Sequence, residues 1–506
     1  MKYLVTAAEM YKIDKYTMES IGIPGAVLME RAALAAFEAV TGYSGAVKGF
    51  MKKSTCCGQA DYLQTALIMA GIGNNGGDGL ALARMLAEAG FSTEVWIVGE
   101  EAKASEEWKR QRNILKSYPV NFCSKPGKNE YTILVDALFG VGLSRELSGI
   151  FESAVGIFNG LKGRKIALDI PSGVDSDTGR ILGRDSVRAD ETVTFGCCKR
   201  GLVLYPGALA AGKVTVADIG IPDFAFAGER PGMFALDEAP EQLLPKRCPW
   251  GNKGTFGKVL LAAGSIGMAG AAVLAAKAAY RAGAGMVKVI TCAENREILQ
   301  VSVPEALVGT EEEFGSCFEW ADVIVVGPGL GKSKTARRLL EEALCGSRLP
   351  LLIDGDGLNL LAEDLKLRQV VAKQGEGGRS MVLTPHVGEL ARLLGKSIPK
   401  LQEDLAERGR DLAMELQTVV AAKDARTFIC KAGEPVCVNL SGNSSLATAG
   451  SGDVLAGTVA GLMAQGMESY RAACVGAYLH GLSGEREALK CGEHACMAGD
   501  LTWRLG

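Results

Sequence analysis

Ala66-Leu-Ile-Met-Ala-Gly-Ile-Gly-Asn-Asn-Gly-Gly-Asp78 decides the fold of the first half of the chain. The apolar run Ala66–Ala70 reads as a short buried strand, and Gly71–Asp78 as a glycine-rich loop. Beyond it Leu82, Met85, Leu86 and Ala89 recur at helical spacing. Thr93–Val98 is the next expected strand, 105–118 a charged helix, and Thr132–Val135 and Ile166–Leu168 are strands that end on Asp136 and Asp169. Strands alternating with helices predict a mostly parallel sheet with right-handed crossovers. Residues 1–45 are expected to be helical, with Met29-Glu-Arg31 inside the second helix.

The second half repeats this grammar. Val259–Ala262, Met286–Ile290, Val323–Val326, Leu351–Ile353 and Met381–Leu383 read as strands, each leading into a loop rich in glycine or polar residues. Ala449-Gly-Ser-Gly-Asp453 opens a long apolar helix, and the alanine stripe of Ala271–Ala279 reads as helix packing. Between the halves, five of the 16 prolines fall between Pro222 and Pro249. Proline at that density interrupts helix and sheet alike, so a boundary is expected at 226–250, with one domain over 1–225 and another over 251–506. At 506 residues the chain is long enough for two. Lys48–Asp61 reads as a surface insertion.

Composition excludes several classes. A formal charge of −3 from 55 basic and 58 acidic residues gives no pull toward nucleic acid or an anionic membrane. Val259–Ala279 is broken by glycines and Lys277, against a membrane span. The N-terminal twenty residues do not have the form of a secretory signal. Fourteen cysteines without a CxxC pair fit reduced thiols and a cytoplasmic setting. Cys491-Gly-Glu-His494-Ala-Cys496 is a weak metal candidate, since a closed zinc site needs four ligands at suitable spacing and the full set is not visible. The 65 glycines call for tight turns and close backbone approach.

Ligands of open α/β sheets bind beyond the carboxyl ends of the strands. In the first half that selects Gly73–Asp78, Asp136–Gly142 and Asp169–Asp175. The first of these offers backbone N–H groups to an anion, without the spacing of the dinucleotide fingerprint. Asp136 and Asp169 are each a candidate acid/base, cation ligand or helix cap. Asn75, Asp136 and Ser172 are small oxygen donors suited to a hard cation, or to ordinary loop hydrogen bonding. In the second half Gly450-Ser-Gly-Asp453 combines an anion cradle with a carboxylate placed to take a proton from a hydroxyl, or to cap the helix. His386 stands just past a strand, and His480 lies on an apolar helix as a packing or capping residue. Lys423 is either a phosphate contact or part of a solvated cluster with Asp424 and Arg426.

Taken together, these motifs resemble two known families. Leu28-Met-Glu-Arg31, Gly73-Asn-Asn-Gly-Gly-Asp-Gly79, Val135-Asp-Ala-Leu-Phe-Gly-Val-Gly142 and Asp169-Ile-Pro-Ser-Gly173 resemble the NAD(P)H-hydrate epimerase family of the YjeF N-terminal type. Gly264-Ser-Ile-Gly-Met-Ala-Gly-Ala271, Gly327-Pro-Gly-Leu-Gly331, Leu383-Thr-Pro-His-Val-Gly-Glu389 and Gly450-Ser-Gly-Asp453 resemble the ADP-dependent NAD(P)H-hydrate dehydratase family. The resemblance implies an N-terminal Rossmann-like three-layer α/β domain and a C-terminal ribokinase-like α/β domain. It implies a bifunctional metabolite-repair enzyme that epimerises hydrated NADH and NADPH and dehydrates the S epimer, converting ADP to AMP and phosphate. The alternative is a ribokinase-like small-molecule kinase fused to a ligand-binding or interaction domain.

By resemblance, Asn74, Asn75, Gly76, Gly77 and Asp78, then Gly140, Val141, Gly142, Leu143, Ser144, Arg145 and Glu146, with Asp169, would contact the hydrate, Asp169 catalytically. Asn75, Asp136 and Ser172 would hold potassium. In the second half Ala271, Gly329, His386 and Asp453 would face the hydrate, Asp453 catalytically. Lys423, Asp424, Ala425, Arg426, Thr427 and Gly452 would hold the nucleotide, with magnesium. The expected partners are NADHX, NADPHX and ADP, in a homo-oligomer. Two positions depart from the family pattern. Asp424 stands where a glycine is usual, which is unfavourable beside a phosphate unless Arg426 offsets it. Asp354-Gly-Asp-Gly-Leu358 has glycines in place of the usual alanines.

Overall fold

The computed structural model describes residues 2–42, 64–226 and 230–505. The expected insertion at 48–61 lies outside them. The chain divides into two compact units, one over residues 3–231 and one over residues 232–506 together with residues 1–2.

The first unit is built on a seven-stranded sheet, all parallel, as expected from the alternation of elements. Its spatial order is Val120–Cys123, Ser92–Ile97, Thr65–Ala70, Glu130–Ala137, Lys162–Leu168, Glu191–Phe195, Lys213–Ala217. The chain winds outward from Thr65–Ala70 in one direction, then returns to Glu130–Ala137 and winds the other way. The loops after those two strands therefore flank the switch point, where the sheet opens a crevice. The strand Thr65–Ala70 is buried on both faces. Ala66, Ile68 and Ala70 pack with the helices Gly25–Thr41 and Asn74–Glu88, and Leu67 and Met69 with the helix Ile150–Gly160. Glu30 of the Leu28–Arg31 motif ties those first two helices together by accepting from Arg84 at 2.6 Å.

Two expectations for this unit need correction. The first residues are not all helical: Lys2–Val5 is a strand that pairs parallel with Cys198–Lys199. The capping box of Thr6 and Glu9 then starts the helix Ala7–Tyr16. A four-residue strand exists through its partner, which local sequence does not reveal. The glycine loop is also shorter than expected, because the helix begins at Asn74. Gly76 and Gly79 sit inside that helix against their low propensity, and close packing is the reason. A Cβ on Gly76 would stand 2.0 Å from the Gly71 carbonyl oxygen, and one on Gly79 2.5 Å from the Ala137 Cβ. Gly76→Ala is expected to destabilise the unit by about 1–3 kcal/mol through overpacking, read as a lowered urea midpoint with unchanged m value.

The second unit carries a ten-stranded sheet. The order is Leu307–Gly309, Met286–Ile290, Lys258–Ala262, Val323–Val326, Leu351–Ile353, Met381–Leu383, Val419–Ala422, Thr427–Cys430, Val436–Asn439, Met233–Ala235. Only Thr427–Cys430 runs antiparallel to its neighbours. Met233–Ala235 falls within the stretch expected to be linker. It pairs with Val436–Cys437 instead, so residues 233–235 belong to this sheet. Ala269–Arg281 packs closely on Ser451–Ala464. Cβ atoms on Gly457 and Gly461 would lie 2.1 and 2.6 Å from the Ala275 and Ala279 carbonyl oxygens, so the alanine stripe is a packing surface. No helix among the described residues is long and apolar enough to cross a membrane.

Candidate active sites

In the first unit the loops at the switch point converge on two buried carboxylates. Asp136 ends its strand fully buried. Its Oδ1 accepts from the Leu138 N–H at 3.1 Å and the Ser172 hydroxyl at 2.7 Å, and its Oδ2 from the Ser172 N–H at 2.7 Å. Burial pushes this carboxyl up to about 6, and the hydrogen bonds from Ser172 and Leu138 work the other way. Beside it, Asn75 donates to the Phe139 and Leu168 carbonyls at 2.9 and 3.1 Å. Those two acceptors settle which end of the amide is nitrogen. Asn75 Oδ1 is left buried with no hydrogen-bond partner. A buried acceptor without a donor is costly, and it lies in the same loop cluster as Asp136 and Ser172.

Asp169 is one of two non-glycine residues with positive φ among the described residues, at 66°. Such strain costs about 1–3 kcal/mol and persists where surrounding structure enforces it. Here the Asp169 N–H is held by the Val193 carbonyl at 2.8 Å. Its carboxylate meets Lys199 Nζ at 2.6 Å. The Lys199 side chain is buried, also donates to the Phe195 carbonyl at 2.8 Å, and is positioned by the pairing of its backbone with Val5. A Cβ on Gly140 would come within 3.1 Å of Asp169 Oδ2, so the glycine leaves that carboxylate open to the loop Phe139–Gly142. Two more carboxylates surround the pair. Burial, then Asp169, raise Asp78 well above the carboxylate range, and burial pushes Asp14 up to about 6 with Lys199 opposing.

Sequence reasoning missed Lys199 and Asp14. Lys199 sits in Cys197-Cys198-Lys199-Arg200, where a basic dipeptide reads as surface. The signal against that reading was the bare β-run Glu191–Phe195 just before it. Of the expected hydrate contacts, Gly76 and Gly77 are buried in packing, and Asn74 and Gly142 are exposed. Val141 is half-buried, Ser144, Arg145 and Glu146 are exposed, and Leu143 is turned into the apolar cluster with Leu147.

In the second unit the strand ends gather a second lysine among carboxylates. Lys423 follows Val419–Ala422, and its N–H bonds the Pro385 carbonyl at 2.8 Å, laying it alongside His386. Lys423 Nζ reaches Asp354 Oδ1 at 3.0 Å, which also accepts from the Thr384 hydroxyl at 2.6 Å. A Cβ on Gly452 would lie 3.3 Å from the same Nζ, a tight contact, so glycine at the start of the helix Ser451–Ala464 lets the ammonium come this close without adjustment. Burial works against charge on Lys423, but Asp354, Glu389 and Asp453 prevail and raise it. Burial, then Asp354, push Asp453 up to about 7, with Lys423 opposing. Burial pushes Glu389 up to about 7 as well.

His386 caps the helix Val387–Leu394: its Nδ1 accepts from the Gly388 N–H at 2.9 Å, and its own N–H donates to Glu389. Burial, then Lys423 and Arg392, lower its pKa. Gly329, at φ 57°, is pressed against Ala271: a Cβ added to it would stand 2.7 Å from the Ala271 Cβ. His480 is buried beside Ser451 Oγ at 3.1 Å, and burial and Lys423 push it down to about 4. Asp424 is exposed and accepts from Gln402 at 3.1 Å, while Arg426 donates to the Leu440 carbonyl at 3.0 Å. Ala425 is exposed, and Thr427 opens the antiparallel strand.

Two α/β units, each with a buried lysine–carboxylate pair beyond its strand ends and a helix N-terminus beside it, define a two-site α/β enzyme suited to anionic ligands. The family models agree with that division. A model described as NAD(P)H-hydrate dehydratase matches residues 259–502, and one described as YjeF-related protein N-terminus matches 25–201. A protein of Moorella thermoacetica named bifunctional NAD(P)H-hydrate repair enzyme is 37% identical, over 99% of this chain and 95% of its own. The protein of that name in Coxiella burnetii is 34% identical over 99% and 98%, and that of Escherichia coli 32% over 86% and 83%. A solved structure described as an ADP/ATP-dependent NAD(P)H-hydrate dehydratase from Bacillus subtilis, co-crystallised with ATP and magnesium, is 28% identical. It covers 53% of this chain and 95% of its own, with TM-score 0.46. The chain belongs to the bifunctional NAD(P)H-hydrate repair enzyme family, as the motifs implied.

Proposed function

We propose that this protein repairs hydrated NADH and NADPH, with epimerisation in the domain of residues 1–225 and ADP-dependent dehydration of the S epimer in that of residues 251–506. The observation that carries the reading is Lys423, held by Asp354 beside the N-terminus of the helix that presents Asp453.

In the second site, the ammonium of Lys423 and the N–H groups at Ser451–Asp453 bind the phosphate being transferred. Asp453 takes the proton of the ring hydroxyl as its oxygen attacks the β-phosphorus of ADP, and AMP leaves. The phosphorylated ring then loses phosphate together with a proton from the adjacent ring carbon, which water accepts, and becomes the reduced nicotinamide. Ala271, Gly329 and His386 border the hydrate, and Lys423–Thr427 with Gly452 the nucleotide. Because Asp453 must be ionised to accept the proton, the rate of dehydration is expected to rise about tenfold per pH unit up to about 7 and level off above it. A pH profile of kcat/KM checks this. Among the described residues no group of three or more carboxylate, histidine or cysteine side chains forms a metal cage. That suits magnesium carried in with the nucleotide phosphates.

In the first site, epimer exchange needs the bond from carbon to the ring hydroxyl to break and re-form from the other face. Asp78, raised by burial, donates a proton to the departing oxygen, and Asp169, held by Lys199, takes one from the returning water. Asn74–Asp78 and Gly140–Glu146 border the hydrate. The unpartnered Asn75 Oδ1, with Asp136 and Ser172, fits a potassium ion, which would supply fixed positive charge at the rim. Since a proton competes for Asp136 below about 6, potassium is expected to raise the Tm of the first unit more at pH 7 than at pH 5. Thermal scans in potassium against tetramethylammonium chloride check it.

The ligands are small molecules, and a cytoplasmic homo-oligomer suits the reading. The whole function is tested by incubating hydrated NADH with and without ADP and following both epimers. Exchange without ADP, and AMP formed in step with reduced nicotinamide when ADP is present, are expected. Phosphorylation of a small alcohol without return of reduced nicotinamide would favour the kinase alternative.

A further inference from the structure

Cys491 ends the long helix Ser469–Cys491, and Cys496 follows one turn later. Their sulfurs are 3.3 Å apart, and each thiol also lies near the Gly492 carbonyl, at 3.5 and 3.4 Å. Cys491 is exposed and Cys496 is buried. A disulfide needs about 2.05 Å between sulfurs, so this pair closes by a further approach of about 1.2 Å. The turn they span touches the second site through Glu493, and the helix Ala498–Leu501 that follows it touches the site through Ala498. Glu493 accepts from the Ser444 hydroxyl, in the turn ahead of Gly450. Ala498 lies beside Gly450 itself, 3.2 Å from where its Cβ would stand.

We infer that Cys491 and Cys496 are a reversible dithiol–disulfide site whose closure pins the turn 492–495 against the residues that lead into Gly450–Asp453. With a hydroperoxide as oxidant, Cys491 sulfur attacks the terminal oxygen and the O–O bond breaks. The thiol proton goes to the departing alkoxide, leaving a sulfenic acid and an alcohol. Cys496 sulfur then displaces the sulfenic oxygen, which leaves as water with the second thiol proton. Two thiols are oxidised by two electrons and the peroxide is reduced. The shared hydrogen bond, with burial, pushes Cys491 up to about 11. Cys491 therefore rests as a thiol and closure is slow, which suits a site oxidised only under sustained stress.

The test uses the full-length enzyme treated with hydrogen peroxide at mildly alkaline pH, then digested for mass spectrometry. The peptide carrying both cysteines is expected to lose the mass of two hydrogens and to recover it with dithiothreitol. Exposed Cys345 serves as a solitary control thiol. Cys496→Ser is expected to trap Cys491 as a sulfenic acid. A peptide that stays reduced while Cys345 is oxidised overturns the inference. The coupling rests on the dehydratase reading, so the reduced enzyme is assayed first to establish that reading separately. Closure is then expected to change the KM for ADP by about fivefold, the low end of coupling between distinct sites, because the sulfurs are already near contact. A full disulfide with unchanged KM overturns the coupling.

Discussion

Asp453→Asn abolishes ADP-dependent dehydration and leaves epimer exchange measurable. The expected loss in kcat/KM is about 10²–10⁴-fold, the usual worth of a positioned general base. Asparagine keeps the shape of the side chain at the first turn of Ser451–Ala464 and removes the group that takes the proton. It also removes one of the carboxylates that raise Lys423, so nucleotide affinity is expected to hold or improve while turnover falls. A single preparation, assayed for AMP release and for exchange of the two epimers, separates the sites. A folded variant that lost both activities would contradict independent chemistry in the two units.

Lys199→Met has the second large effect, on stability as well as activity. The ammonium is buried and stands 2.6 Å from Asp169, itself almost fully buried. Removing it leaves a buried carboxylate without its counter-charge, which costs about 3–5 kcal/mol. For a unit of this size that is a fall in Tm of about 6–20 °C. Epimer exchange is expected to fall at least about 10²-fold, because the ion pair holds the Asp169 carboxylate in place. The double variant with Asp169→Asn separates the two effects. It is expected to regain much of the lost stability and none of the activity, since the stranded charge is gone while the base is still missing. A double variant as unstable as Lys199→Met alone would show that the lysine acts through packing.

Much of this was legible from local patterns. The run Ala66–Ala70, the helical spacing from Leu82 and the strands ending on Asp136 and Asp169 lie where their periodicity put them. Buried parallel strands have near-continuous apolar sequences, which few other elements share. The motifs Gly73–Gly79 and Gly450–Asp453 were visible because chemistry next to a backbone demands glycine. What periodicity does not carry is why a given glycine is there. Gly76 and Gly79 proved to be packing residues of a helix, whereas Gly452 makes room for the Lys423 ammonium.

By itself, the sequence determined the α/β class of both halves, the family, and the carboxylates Asp136, Asp169 and Asp453, because each is written in consecutive residues. The tertiary structure alone decided their partners. Lys199 reaches Asp169 across 30 positions, and Lys423 reaches Asp354 across 69. The strand Lys2–Val5, which holds Lys199 from the far end of the unit, is recognisable only beside Cys198 and Lys199. A buried charge is tolerated where an opposite charge from a distant segment meets it, and that meeting is made by folding, with no local pattern in the chain to announce it.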